Sequence, residues 1–154
     1  MQIWVDADAC PKVIKEVLFT VAGRRKIKTT FVANSHLSVP MSQYIDFIRV
    51  DAGFDVADNK IVELACEGDL VITADVPLAD KVVEKGATAL NPRGQLYTED
   101  NIKGLLRMRH LMEELRSGGM VSGGPAPLGA RDKQEFTNQL DKYVTRRLKE
   151  EQAL

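Results

Sequence analysis

The sequence lacks the features of secreted and membrane proteins. No apolar run approaches the roughly 18 residues that a transmembrane helix needs, and Met1 leads into a short apolar run and an aspartate rather than into a signal peptide. Cysteine is also scarce, since Cys10 and Cys66 are the only two and form no CxxC pair. This spacing excludes a disulfide framework and a zinc ribbon. We therefore expect a cytoplasmic protein with no membrane partner.

Histidine is scarce and the net charge is small. The only histidines, His36 and His110, do not have the HxxxH spacing of a metal site, and they give little support for a Ser-His-Asp triad. The formal net charge is −1, so any binding of nucleic acid must depend on a local patch. At 154 residues, of which 44% are hydrophobic and 28% charged, the chain has the length and composition of one globular domain.

Short apolar runs alternate with segments of helical spacing along most of the chain. We place strands over residues 3–5, 29–33, 47–50, 70–73 and 88–90, and we expect Gly23, Gly68 and Gly86 to end the helices between them. Because the strands are continuously apolar, both faces of the sheet should be covered by helices. The sequence thus predicts an α/β fold with a mostly parallel sheet flanked by helices on both faces.

We interpret residues 1–154 as a single domain of two parts. Residues 1–97 form the β-α alternating core, and residues 98–154 form a C-terminal helical extension whose helices are joined by the Gly/Pro-rich segment 118–129. That segment is either a plain linker or a flap that closes over a phosphate-bearing ligand. It lacks the GK[ST] ending of a P-loop.

Aspartates follow several of the predicted strands. Asp6 and Asp8 follow the first strand, Asp55 follows the third, and Asp75 follows the fourth. The carboxyl ends of parallel strands lie at one edge of a sheet, so these side chains should converge there. Asp58, three residues after Asp55, would share a helix face with it. Aspartates also cap turns and helices, but the coincidence of several with strand ends favours a functional site.

Converging carboxylates repel one another unless a cation neutralises them. Mg²⁺ or Mn²⁺ prefers oxygen ligands and leaves positions open for a substrate phosphate and a water. We predict that Asp6, Asp8 and Asp75 bind the ion and that Asp55 or Asp58 orients the attacking water. The sequence therefore leads to the hypothesis of metal-assisted phosphodiester hydrolysis.

Cys10 lies at a predicted helix start, where a thiol can become reactive. A cysteine-type phosphatase would carry an arginine six residues further on, and Glu16 stands there. We interpret Cys10 as a buried or capping residue.

Several motifs occur in an order that resembles a known family. They are IWVDADACP at residues 3–11, VAN at 32–34, GDLVITADVPLA at 68–79 and ALNPRG at 89–94. Together they closely resemble the YaiI/YqxD family of uncharacterised bacterial proteins, and the resemblance spans nearly the whole chain. That family is grouped by fold with the PIN-like nucleases, so the resemblance implies a PIN-like, Rossmann-like three-layer fold.

The resemblance also implies positions for the site. PIN-like enzymes have an aspartate after the first strand, acids on a middle helix, and a Thr-x-Asp motif after the fourth strand. Residues of this chain at those places are Asp6, the Asp55/Asp58 pair, and Thr73 with Asp75, and Asp80 stands where a further acid could act. The positions that we expect to contact substrate are Thr73, Asn34, Arg93 and Asp80. The chain departs from this pattern at two places. The DxDxCP loop after the first strand is not the usual PIN opening, and residues 130–133 around Asp132 lack the Asp-Arg pair that the resemblance leads us to expect there.

The leading hypothesis is a metal-dependent nuclease acting on RNA or on another phosphate-containing ligand. One alternative is an aspartyl phosphatase or phosphotransferase with Asp6 as nucleophile and Asp8 as acid/base. The usual DxDxT opening of those enzymes would place threonine at Cys10. A second alternative is a non-catalytic module that binds RNA or a nucleotide.

Overall fold

The computed structural model describes residues 1–119 and 127–153. Within these residues one six-stranded sheet has the spatial order β3-β2-β1-β4-β5-β6. The first five strands are parallel, and β6 pairs antiparallel with β5. This confirms the predicted α/β fold with a mostly parallel sheet. The strands are β1 (Ile3–Asp6), β2 (Thr29–Ala33), β3 (Ile45–Arg49), β4 (Leu70–Ile72), β5 (Thr88–Leu90) and β6 (Leu96–Tyr97).

Helices cover both faces of this sheet, as the apolar strands predict. The α-helices of the described residues are α1 (Lys12–Arg25), α2 (Val56–Leu64), α3 (Val76–Glu84), α4 (Ile102–Ser117) and α5 (Ala130–Gln152), and a short 3-10 helix spans Ala7–Ala9. Buried side chains of α1 and α5 pack against one face, and those of α2, α3 and the start of α4 pack against the other. Strand residues alternate between the two clusters, because successive side chains of a strand point to opposite faces. The C-terminal helix α5 therefore lies in the same layer as α1.

Two helix ends differ from the sequence-based prediction. Helix α1 runs through Gly23 to Arg25, and Lys26 instead takes the left-handed cap position with φ 55°. Helix α2 ends at Leu64 because Ala65 is already extended, whereas Gly68, with φ 86°, lies in the turn that leads to β4. Glycine was therefore a wrong marker for both ends. Strand β6 was not predicted, because two residues are too few to show a period.

Most of the segment 118–129, for which a flap was one interpretation, falls outside the described residues. None of the helices in the described parts of the chain has the length and apolar character needed to cross a membrane.

The direction in which the sheet is built changes between β1 and β4. From β1 the chain builds outward to β2 and β3, and it then returns to add β4 on the other side of β1. Connections leave the carboxyl ends of these two neighbouring strands toward opposite faces: α1 follows β1, and α3 follows β4. In open α/β sheets, ligands bind at such a topological switch point.

At the amino edge of the same two strands, a buried carboxylate joins β1 to β4. Asp69 is 6% exposed. It accepts the Trp4 indole N–H at 3.0 Å, the Gln2 backbone N–H at 3.0 Å and the Cys66 backbone N–H at 2.9 Å. No local sequence pattern identifies Asp69 as a structural residue, because its donors lie up to 67 residues away in the chain.

Removal of the Asp69 carboxylate should destabilise the fold. Asp69→Ala leaves three donors without their acceptor, and we expect the free energy of unfolding to fall by about 3 kcal/mol. Urea unfolding followed by the fluorescence of Trp4, the single tryptophan, measures the change. The control is Asp46→Ala, which removes an exposed ion pair with Lys28 and should cost less than about 1 kcal/mol. Equal losses in the two variants would contradict this account.

Candidate active site at the carboxyl edge of the sheet

Asp6 is the last residue of β1 and lies at the switch point. It is 7% exposed, and its Oδ2 accepts a hydrogen bond of 2.9 Å from the Thr73 hydroxyl. Val5 pairs with Ile72 in the register between β1 and β4, so Asp6 and Thr73 stand side by side at the ends of adjacent strands. The alternation of side chains directs both toward the face that α2 and α3 cover.

The Thr73 hydroxyl also positions Asp75. It accepts the Asp75 backbone N–H at 3.0 Å while it donates to Asp6. Asp75 is the N-cap of α3, and its Oδ1 accepts the Leu78 N–H at 3.1 Å. The capping role that we considered as an alternative is therefore present. It is compatible with a second role, because a carboxylate offers two oxygens with about four lone-pair sites.

Asp55 and Asp58 enter the same region from the start of α2. Asp55 is the N-cap, in the left-handed region at φ 62°, and Asp58 lies in the first turn. The pKa of Asp58 is raised to about 6, first by burial and then by the charges of Asp6, Asp75 and Asp55 and a hydrogen bond with Asp55. Carboxylates from β1, α2 and the β4–α3 connection thus lie within electrostatic reach of one another.

The same environment acts on Asp6. Burial is the main reason why the pKa of Asp6 is raised, and the charges of Asp75 and Asp8 raise it further, while the hydrogen bond from Thr73 opposes the shift. A charged Asp6 is therefore held in place at a free-energy cost, with a neutral hydroxyl as its hydrogen-bond partner.

Asp8 links the loops that follow β1 and β2. It is exposed, and its two oxygens accept the Asn34 backbone N–H at 2.7 Å and the Ser35 hydroxyl at 2.8 Å. Asn34 thus reaches the site through its backbone, while its side chain is exposed. Ser35 is a site residue that the aspartate pattern does not identify, although it follows the end of β2 closely in the sequence.

Asp80 and Arg93 have partners other than these carboxylates. Asp80, on α3, pairs with Lys103 of α4 at 2.7 Å. Arg93, after β5, pairs with Asp132 at 2.8 Å, and Asp132 also accepts the Gly129 N–H at the start of α5. The structure therefore gives Asp132 a capping role, where the sequence left its role undetermined.

Arg93 also borders a cavity on the β5 side of the site. The cavity has a volume of about 430 Å³. Its walls are mainly apolar and include Ala9 and Ala74, which adjoin the loops carrying Asp8 and Asp75. A flat or apolar part of a ligand could be accommodated here beside the carboxylates.

Cys10 is buried, which confirms the prediction for this residue. Burial raises the pKa of its thiol to about 12, against the opposing charge of Lys15. The thiol is therefore protonated at neutral pH and is a poor nucleophile.

No group of three histidine, cysteine, aspartate or glutamate side chains in residues 1–119 and 127–153 is arranged so that it could hold a metal ion. The donor chemistry nevertheless suits a hard divalent cation, because the acids offer only carboxylate oxygens. Like charges without a counterion repel one another. Binding of such an ion would therefore require these side chains to move closer together.

The raised pKa of Asp58 makes stability depend on pH. Between its usual pKa of 3.8 and about 6 the folded state binds more protons than the unfolded state, so stability falls as pH rises through this window. In EDTA, Asp58→Asn should therefore stabilise the protein at pH 7.5, by about 1 kcal/mol after allowance for solvent screening. This corresponds to about 2–4 °C in Tm.

Thermal unfolding at pH 7.5 and pH 4 measures this effect. The gain should shrink to a small part of its value near pH 4, where Asp58 is protonated in the folded state and partly protonated in the unfolded state. Asp100→Asn, an exposed substitution before α4, is the control and should change Tm little at either pH. A gain of equal size at both pH values would show that the charge of Asp58 is not its cause.

Comparison with known proteins gives a consistent result. Residues 4–146 match the model described as "Uncharacterized BCR, YaiI/YqxD family". A "UPF0178 protein" of Maridesulfovibrio salexigens is 70% identical over 148 residues, which cover 96% of this chain and 98% of the relative. A "UPF0178 protein" of Shewanella amazonensis is 62% identical over 146 residues, covering 95% and 98%. No solved structure matches the chain, so the grouping with PIN-like nucleases stays a prediction. The family match and these relatives show that the chain belongs to the YaiI/YqxD family.

Proposed function

We propose that this protein is a divalent-metal-dependent phosphodiester hydrolase that acts on RNA. The observation that carries the proposal is the convergence of Asp6, Asp58 and Asp75 at the switch point between β1 and β4. They come from three separate elements, and the charges of Asp6 and Asp75 both act on Asp58. Such an arrangement is unfavourable for the isolated protein and becomes favourable when a cation binds.

The residues of the site fit Mg²⁺ or Mn²⁺ as the resident ion. Asp6 and Asp75 would hold it, with Asp8 as a third acid fixed by its bonds to the β2 loop. When bound, the ion supplies positive charge to the phosphate and lowers the pKa of the attacking water. In the described residues no three such side chains are close enough together to hold an ion. The carboxylates must therefore move closer to one another when the ion binds.

The other residues position these groups. The Thr73 hydroxyl orients the Asp6 carboxylate and, through the Asp75 N–H, the start of α3. Asp58 orients the attacking water from the first turn of α2, with Asp55 beside it. Arg93, at the border of the apolar cavity, supplies a guanidinium that suits a phosphate of the bound strand.

The phosphotransferase alternative fits these contacts less well. A nucleophilic Asp6 would need an open approach, and it is 7% exposed beneath Thr73. We therefore keep phosphotransfer as an outcome of the experiment below.

Cleavage of a labelled RNA in Mn²⁺ tests the proposal. Asp6→Asn and Asp75→Asn should each lower the rate by at least about 100-fold, because each removes a charge that binds the ion. Asparagine still caps α3 at position 75, so that variant should fold, and Asp6→Asn should have an unchanged or higher Tm. EDTA should abolish cleavage, and the control Asp100→Asn should cleave at the original rate.

Other outcomes would contradict the hydrolase proposal. Phosphate release from a small phosphomonoester that needs Asp6 far more than Asp75 would indicate a phosphotransferase. RNA binding that survives both substitutions, without turnover by the unsubstituted protein, would indicate a non-catalytic module.

Thr73 should act as a positioning residue. Thr73→Val removes the hydrogen bond that opposes the rise in the pKa of Asp6, so the acid limb of the pH–rate profile should move to higher pH. We expect kcat to fall about 10- to 100-fold, since the Asp6 carboxylate loses its orientation. Thr73→Ser keeps the hydroxyl and should restore both the profile and the rate. An unchanged profile in Thr73→Val would exclude this role.

A further inference from the structure

Phe54 is a large apolar side chain that the fold leaves in solvent. It is 93% exposed and lies in the loop between β3 and α2, next to Asp55. Burial of a phenylalanine stabilises a protein by about 1.5–3 kcal/mol, and Phe54 gains almost none of this. Its exposure therefore calls for an explanation outside the packing of the core.

The backbone on both sides of Phe54 is constrained. Gly53 has φ 152°, and a Cβ placed there would lie 3.1 Å from Val56 Cγ2. Asp55, on the other side, is in the left-handed region at φ 62°, which a non-glycine residue adopts only at a cost. This turn presents Phe54 to solvent two residues before α2 begins.

That position adjoins the candidate active site. The loop leaves the carboxyl end of β3, which is the edge where β1 and β4 carry Asp6 and Thr73. One turn after Phe54, Asp58 is within electrostatic reach of Asp6 and Asp75. A chain whose phosphate lay at these carboxylates would thus pass close to the exposed ring.

Basic side chains on the same edge complement a phosphate chain. Arg49 is the last residue of β3, and Lys12 is the first residue of α1. Both are exposed, and neither forms an ion pair with any residue in the described part of the chain. They can therefore contact phosphates on either side of the acidic site without first breaking a salt bridge.

We propose that Phe54 is the stacking platform for an unpaired nucleobase beside the scissile phosphate, and that it selects single-stranded nucleic acid. The inference rests on the proposed function for the position of that phosphate. Stacking of a base on an aromatic ring contributes about 1–3 kcal/mol and tolerates any base. In a duplex both faces of a base are already covered by its neighbours, so a paired strand cannot make this contact.

A tryptophan at position 54 would report the contact directly. The chain has one tryptophan, Trp4, which is 7% exposed and bonded to Asp69 near the opposite edge of the sheet. In Mg²⁺, a single-stranded RNA with phosphorothioate linkages, which resist cleavage, should quench the fluorescence of Phe54→Trp in a saturable way. A blunt duplex of the same sequence should not. Met41→Trp places a tryptophan at a fully exposed residue near the amino end of β3 and should show no specific quenching.

Affinity and turnover then separate this inference from the proposed function. Phe54→Ala should weaken single-strand binding about 5- to 150-fold, the equivalent of 1–3 kcal/mol, and Phe54→Tyr should preserve it. Hydrolysis of a chain of abasic ribose phosphates, a phosphodiester that has no base or other aromatic ring to stack, should be the same in Phe54→Ala as in the unsubstituted protein.

The possible results are distinct. Unchanged RNA affinity in Phe54→Ala, or equal quenching of Phe54→Trp by duplex and single strand, would overturn the inference even if the diester is hydrolysed. Selective quenching by the single strand in a protein that hydrolyses neither substrate would support the stacking role and refute the hydrolase. The same measurements with single-stranded DNA show whether binding depends on the ribose 2′-hydroxyl.

Discussion

The hydrogen bond between Thr73 and Asp6 is the contact on which the organisation of the site depends. It joins the ends of β1 and β4, the two strands between which the sheet changes direction. The same hydroxyl accepts the Asp75 N–H and so determines where α3 begins. One neutral side chain thereby holds two acids in place without neutralising either, and the third, Asp58, approaches them from α2.

The two buried aspartates, Asp69 and Asp6, differ in the number of hydrogen bonds that their carboxylates accept. Asp69, at the amino edge, accepts three N–H groups, which satisfy its oxygens and join β1 to β4. Asp6, at the carboxyl edge, is equally buried but accepts from a single hydroxyl and faces other acids, and its pKa is raised. A fully satisfied carboxylate stabilises the fold, whereas a poorly satisfied one retains the capacity to bind a cation.

The sequence predicted features that depend on local patterns. Continuous apolar runs identified the parallel strands, and aspartates after them identified the sheet edge that carries Asp6 and Asp75, which Asp58 faces from the first turn of α2. Features that depend on distant residues were not visible, such as the pairing of Arg93 with Asp132 and the three donors of Asp69. The glycine rule failed at α1 because Lys26 takes the left-handed cap itself. The exposure of Phe54 could not be predicted either, since an apolar residue beside a helix start is usually buried.

Anomalous diffraction from crystals soaked in Mn²⁺ shows whether Asp6 and Asp75 hold a divalent cation. We expect a manganese peak between the ends of β1 and β4, within coordinating distance of oxygens of Asp6 and Asp75, and its loss in crystals of Asp6→Asn. These side chains should also lie closer together with the ion than without it. A well-ordered site with no peak at saturating Mn²⁺, or a peak only at other carboxylates, would contradict the claim that these acids converge to bind a divalent cation.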